Sequence, residues 1–131
     1  MKFLLDSHVL DWAQRDTDRL SRVVLALLED AKPGELAVSD VTLSELARHL
    51  ALGKIVSTLS PDQWLRAALT DIEVLPVTPE IALRAAFLDW PHRDPCDRHI
   101  VATAAEHKLP LLSIDGKIHA LTGVRGLKVI W

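Results

Sequence analysis

Four carboxylates, Asp6, Glu45, Asp97 and Asp115, are the residues of this 131-residue chain whose type and placement point to chemistry. None is near another in sequence. Each closes a short apolar run or opens a segment with helical spacing, so a fold that aligned those segments would gather the acids. Two carboxylates about 6 Å apart at an effective dielectric near 20 repel by roughly 3 kcal/mol. Several such pairs would offset much of a domain's marginal stability, so the cluster must take up protons or a cation. Oxygen-only ligands select hard ions, Mg²⁺ or Mn²⁺. Mg²⁺ keeps several waters, so such a site holds an activatable nucleophile and leaves positions for phosphate oxygens. That is the chemistry of metal-assisted phosphodiester hydrolysis.

Taken singly, each acid has an ordinary structural explanation. Asp6 would cap the first helix. Glu45 would close a capping box with Thr42, three residues earlier. Asp97 would complement a helix dipole. Asp115 would begin a turn with Gly116. What singles them out is their common edge.

That edge follows from the elements. Lys2 to Leu5 is a short buried strand ending at Asp6, and Ser7 to Ala13 a short helix. Leu20, Val23, Val24, Leu27, Leu28 and Ala31 mark an amphipathic helix stopped by Pro33-Gly34. Leu36 to Ser39 is a second strand, followed by a helix through Leu43, Leu46, Ala47, Leu50 and Ala51. Ser60-Pro61-Asp62 opens another helix, Ile72 to Val77 is a third strand, and Thr78-Pro79-Glu80 opens the helix through Ile81, Ala85 and Leu88. In His92-Arg93-Asp94-Pro95-Cys96-Asp97-Arg98, Asp94 is an N-cap and Pro95 the first helical residue of a helix to about His107. Leu111 to Ile114 and Leu127 to Ile130 complete the strands. Short apolar strands alternating with helices predict an α/β/α sandwich around a mostly parallel, about five-stranded sheet. Ligands of such sheets sit beyond the carboxyl ends of the strands. Asp6 and Asp115 end strands one and four there, and Glu45 and Asp97 lie early in helices that start there.

The totals set bounds. One domain spanning 1–131 suits the length, and 49% hydrophobic residues suffice for a core. No run of 18 apolar residues occurs, and an acid at position 6 comes too early for a signal peptide. A single cysteine permits no internal disulfide and fits a reducing cytoplasm. The formal charge is −3, which by itself does not suggest a nucleic-acid binder. If four acids are neutralised by a cation, the rest of the chain carries +1, so a polyanionic substrate is neither favoured nor excluded. No glycine-rich phosphate loop follows any strand. The six histidines show no HxxxH pair and there is no second cysteine, which argues against zinc.

Leu4-Leu5-Asp6-Ser7-His8-Val9-Leu10, the Glu45 helix, the His92 to Arg98 stretch with Ile100 to Ala104, and Leu112-Ser113-Ile114-Asp115 resemble the PIN-domain ribonucleases, in particular toxins of VapC-type (type II) toxin–antitoxin pairs. The resemblance covers essentially the whole chain. It implies the PIN-like sandwich and a Mg²⁺- or Mn²⁺-dependent endoribonuclease toxin, inhibited by a cognate antitoxin protein and usually a homodimer. It matches Asp6, Glu45 and Asp97 to the acidic metal-binding core, Asp115 to a less uniform fourth acid, and Asp94 to a helix cap that supports the ligands. Two residues depart from the pattern. Cys96 replaces a frequent aromatic and is read as a small core residue. Asp11 stands where leucine is common and is read as facing solvent.

Other residues near the acids carry chemistry of their own. Ser7, Arg93, Arg98 and Lys117 lie close to them in sequence, and one or two of these are expected to bind RNA phosphates. Ser7 has a second reading, as a helix cap or an orienter of metal-bound water. His92 would touch phosphate or a leaving group, or stay at the surface. Trp12, Trp64, Trp90 and Trp131 fit core or interface better than base stacking. Segments 43–51 and 81–88 fit core or a dimer surface. The competing readings are a non-catalytic PIN-like module binding RNA or protein, and a DNA- or structure-specific nuclease of the same fold. A receiver-type signalling domain is disfavoured, because no second acid accompanies Asp6 and the third strand has no acid at its end.

Overall fold

The computed structural model describes every residue from Met1 to Trp131. Five strands, β1 (Phe3–Leu5), β2 (Leu36–Ser39), β3 (Ile72–Leu75), β4 (Leu111–Leu112) and β5 (Val129–Ile130), form one sheet. Its order is β3-β2-β1-β4-β5, and every neighbouring pair is parallel. Seven helices connect them: α1 (Ser7–Arg15), α2 (Arg22–Asp30), α3 (Val41–Ala51), α4 (Pro61–Ala68), α5 (Pro79–Ala86), α6 (Pro95–His107) and α7 (Gly116–His119).

Alternation along each strand sends successive side chains to opposite faces. Leu5, Val38 and Leu112 pack with Val9, Leu10, Val24, Leu46 and Trp64, so α1 to α4 cover one face. Leu4, Ala37, Leu75 and Leu111 pack with Ile100, Val101, Ala104 and Ile118, so α6 and α7 cover the other, with α5 behind α6 through Ile81, Ala85 and Ala102. The three-layer sandwich is therefore present, and its sheet is wholly parallel.

The sheet order places the site. After β3, at one edge, the chain crosses back to insert β4 beside β1. Strand order reverses between β1 and β4, and the crevice outside their carboxyl ends is where ligands bind in open α/β sheets.

Element ends differ from the sequence expectations for local reasons. β3 stops at Leu75 rather than Val77, because Pro76 has no N–H for a ladder. β4 stops at Leu112 rather than Ile114. Beyond it the Ser113 hydroxyl, instead of a strand neighbour, accepts the Asp115 N–H, and Ile114 turns out to solvent. α2 begins after Ser21, whose hydroxyl caps the Val24 N–H at 3.1 Å. α1 runs on to Arg15, followed by a 3₁₀ turn at Thr17–Arg19, and residues Gly116–His119 coil into α7; the apolar spacing revealed neither short piece.

Candidate active site

Asp6 is 5% exposed, at the end of the central strand. It caps α1, accepting the Ser7 N–H at 2.7 Å through Oδ1. Its Oδ2 accepts the Ser113 hydroxyl at 2.7 Å, across the β1/β4 boundary. The same Ser113 oxygen accepts the Asp115 N–H at 3.1 Å. Ser113 is thus a hub between two of the acids, held in turn by His119, whose Nε2 donates to the Ser113 carbonyl at 2.6 Å. The sequence alone assigns Ser113 no role, since nothing local shows that a residue 107 positions away will face Asp6.

Asp97 enters from the first turn of α6. His92 Nε2 donates to its Oδ2 at 2.6 Å. Asp94 caps the same helix through the Cys96 N–H at 2.9 Å, with Pro95 at the first helical position. Asp115 caps α7 through the Lys117 N–H at 2.8 Å, so its ordinary explanation is also correct. Glu45 does not cap a helix with Thr42. The cap of α3 is Asp40, and the Thr42 hydroxyl bonds Ser7 Oγ at 2.8 Å, which ties α1 to α3. Glu45 is left free to face the crevice.

Asp6, Glu45, Asp94, Asp97 and Asp115 line one cleft of about 220 Å³ with His8 and Ile114. All four acids singled out from sequence are brought together, and Asp94 joins them. His8, two residues beyond Asp6 on the first turn of α1, was missed; its spacing from Asp6 was the available signal. The closest set of donor atoms is His92, Asp94 and Asp97, within 4.8 Å of one another. A larger cavity of about 680 Å³ lies alongside, lined by Trp90, His92 and Lys117, but it lacks the carboxylate cluster.

The electrostatics show what the cleft lacks. Burial pushes the Asp6 carboxyl up to about 6; the Ser113 hydrogen bond and His8 oppose this, and Asp97 adds to it. Asp97 is also raised, first by burial and then by Asp94, Asp115 and Glu45, against the His92 hydrogen bond. Two carboxyls held above their ordinary range by burial and by each other, with oxygen donors from four segments around them, fit a hard divalent cation.

Several neighbours sit elsewhere than their sequence positions suggested. The Arg98 guanidinium donates to the carbonyls of Ala85, Ala86, Leu88, Trp90 and His92 at 2.7–3.3 Å. It is therefore spent on holding the α5–α6 loop and does not reach out to phosphate. Ser7 is fully buried and bonded to Thr42, so it too has no open face for phosphate. Arg93 is exposed and outside the cleft, and Lys117 lines the adjoining cavity. Asp11 does not face solvent: it is 5% exposed and takes a two-pronged ion pair from Arg15, with Nη2 to Oδ2 at 3.0 Å. Cys96 is only half-buried at the start of α6 rather than a core residue, and its thiol is pushed up by burial, then by Glu45, Asp94 and Asp97.

Comparison with known proteins agrees with this geometry. The family model of the PIN domain matches residues 3–124. Ribonuclease VapC22 of Mycobacterium tuberculosis (strain ATCC 25618 / H37Rv) is 34% identical over 119 residues, 89% of each chain. A chain of the VapBC-5 toxin–antitoxin structure from Mycobacterium tuberculosis superposes with a TM-score of 0.66 at 25% identity, covering 98% of this chain and 97% of that one. A chain of the DNA-bound VapBC structure from Salmonella typhimurium gives 0.73 at 16% identity, covering 99% and 97%, a likeness of fold. With the acids of four segments meeting where β1 and β4 diverge, and a match spanning nearly its whole length, the chain belongs to the PIN-domain family, in its VapC group.

Proposed function

We propose that this protein is a divalent-cation-dependent endoribonuclease and the toxin of a type II toxin–antitoxin pair. The observation that carries the reading is the oxygen-lined cleft in which Asp6 and Asp97 are held above their ordinary carboxylate range. Asp6, Asp97, Glu45 and Asp115 would hold Mg²⁺ or Mn²⁺, directly or through water. A cation held there would supply an activated water and offset charge on the phosphate and the leaving oxygen.

The chain's own residues orient this chemistry. The Ser7 N–H and the Ser113 hydroxyl hold one Asp6 oxygen each, fixing the carboxylate plane. His92 fixes Asp97, and its N–H favours the ionised carboxylate, against the larger opposing effect of burial. Asp94 anchors the start of α6 and adds negative charge beside Asp97. Arg98 locks the loop that delivers His92. No protein nucleophile is needed.

The names of the relatives support the partners: one is a ribonuclease, and others come from toxin–antitoxin complexes. An RNA substrate and a cognate antitoxin protein follow for this chain. Leu83 and Phe87, one turn apart at the end of α5, are 61% and 83% exposed and provide an apolar face for a homodimer. No helix is long and apolar enough to cross a membrane. We assign the protein to the cytoplasm, where the lone free Cys96 stays reduced.

The test is cleavage of RNA and of single-stranded DNA of matched sequence, with Mg²⁺ or Mn²⁺ and with EDTA. RNA cleavage that requires the ion and disappears in Asp97→Asn is expected. Cleavage that survives EDTA, or that prefers DNA, would reject the reading.

A further inference from the structure

A second cleft, of about 270 Å³, opens on the other side of His8. It is lined by Asp11, Trp12, Arg15, Arg19, His49 and Lys54 besides His8 itself. His8 belongs to both clefts, so the two adjoin at that side chain. Their charges are opposite. Three permanent cations face one carboxylate here, a net of +2, before the two histidines are counted.

The cleft is organised. Asp11, an unexpected buried acid, grips Arg15 with both oxygens and so fixes its guanidinium in one orientation. The Arg15 Nη2 also reaches the Lys54 carbonyl at 3.5 Å, tying the turn after α3 to the end of α1. Arg19 lies over the Trp12 ring, 4.4 Å from its centre. His8 stands edge-on between His49 and Trp12, with ring centres 6.0 and 5.8 Å apart. Neither Arg19 nor Lys54 has a carboxylate partner. The indole face is already covered by Arg19, so the cleft offers cations rather than a stacking platform.

We propose that this cleft is a phosphate-binding subsite for the RNA strand, which leaves the carboxylate centre past His8 and runs along α1. The proposal rests on RNA being the substrate. Residues 8 and 15 are separated by two helical turns, roughly 10 Å. Successive phosphates of a single strand lie farther apart than the axial rise of about 3.4 Å per nucleotide in a duplex, so that distance admits about two phosphates beyond the scissile one. Arg15, Arg19 and Lys54 meet those phosphates; the contacts are to the backbone and so carry little base specificity.

Salt dependence tests it. Binding of a fluorescein-labelled, 12-nucleotide single-stranded RNA of mixed sequence is measured in EDTA from 50 to 200 mM salt. Every protein carries Asp97→Asn, so no cleavage occurs and the cleft's negative charge is reduced. Each phosphate contact contributes a slope of about −0.7 on single strands. Replacing both Arg19 and Lys54 by Gln is therefore expected to flatten the slope by about 1.4. A fourfold rise in salt then weakens the parent about 7-fold more than this variant. Lys54→Gln alone should flatten the slope by about 0.7 and serves if the double variant melts early. Lys128→Gln, just before β5 at the amino-terminal ends of the strands, should leave the slope unchanged.

Equal slopes in parent and double variant, or no binding at 50 mM salt, overturn the proposal. Displacement by poly-glutamate of a probe that the substitutions do not affect would assign the cleft to an acidic protein segment, which also overturns it. Cleavage is read separately in the chain with Asp97 intact. If that chain cleaves no RNA while the slopes differ as expected, the subsite is supported and the nuclease reading is the one refuted.

Discussion

Replacing Asp6 by asparagine should stabilise the cation-free protein above pH 6 and slightly destabilise it near pH 4. Burial raises this carboxyl from its ordinary 3.8 to about 6. The native state therefore holds a proton that the unfolded state has released between those two values. Stability falls as pH rises through that window, because the unfolded chain binds fewer protons there. At about 1.4 kcal/mol per tenfold change in proton affinity, ionising Asp6 in place costs about 3 kcal/mol at neutral pH. An asparagine side chain cannot ionise, and it still caps α1. Its amide cannot accept the Ser113 hydroxyl as the second carboxylate oxygen does, which subtracts about 1 kcal/mol at every pH.

The assay is thermal unfolding of the parent and of Asp6→Asn in EDTA from pH 4 to 7.5. At this chain length 1 kcal/mol corresponds to about 3–4 °C. The difference in Tm between the two proteins should shift by about 10 °C in favour of the variant across the window. Comparing the two profiles cancels the titrating groups that do not sense Asp6; Asp97, which does, stays part of the difference. Adding millimolar Mg²⁺ or Mn²⁺ at pH 7.5 should reverse the order, since a ligand that binds only the folded parent stabilises it by mass action. Parallel profiles, or a parent that gains on the variant as pH rises, would show that Asp6 is not held above its ordinary range, and the electrostatic case for the cation would fail.

Four further outcomes are expected. His92→Gln should weaken the apparent affinity for the activating cation by 10- to 100-fold, read by titration of cleavage, because it frees the Asp97 carboxylate that His92 orients. Ser113→Ala should lower stability by about 1–3 kcal/mol in urea, since Asp6 Oδ2 and the Asp115 N–H both lose their partner. Arg98→Met should cost about 3 kcal/mol and speed amide exchange between residues 85 and 92, because a charged donor leaves five carbonyls. Cys96 should alkylate with iodoacetamide more slowly than a free thiol at pH 8, and faster in Glu45→Gln, since that carboxylate helps to keep the thiol protonated.

Much of the fold was legible because its signals are local. Caps at Ser60, Thr78 and Asp94, each followed by proline, mark helix starts whatever the rest of the chain does. Apolar pairs such as Leu4-Leu5, Ala37-Val38 and Leu111-Leu112, each in a short run too brief for a helix, read as strands covered on both faces. The acids at the strand and helix ends were legible for the same reason: in a parallel sheet all strand ends share one edge. Asp6, Glu45, Asp97 and Asp115 could therefore be assembled on paper.

What lay beyond the sequence was partnership across the crossover. Only insertion of β4 beside β1 puts the Ser113 hydroxyl on Asp6 and makes the carboxyl both held and desolvated. Only the folded α5–α6 loop reveals that Arg98 faces five carbonyls, so that an arginine next to the site is unavailable to substrate. A formal charge of −3 gave no sign that an acidic cleft and a cationic one adjoin at His8, because a sum discards position. Which side chains can bind a cation, and at which edge they emerge, is set locally, since periodicity and capping act over a few residues. The tertiary structure decided which of them are buried, paired or free, since desolvation and hydrogen bonding depend on neighbours that the chain brings from far away.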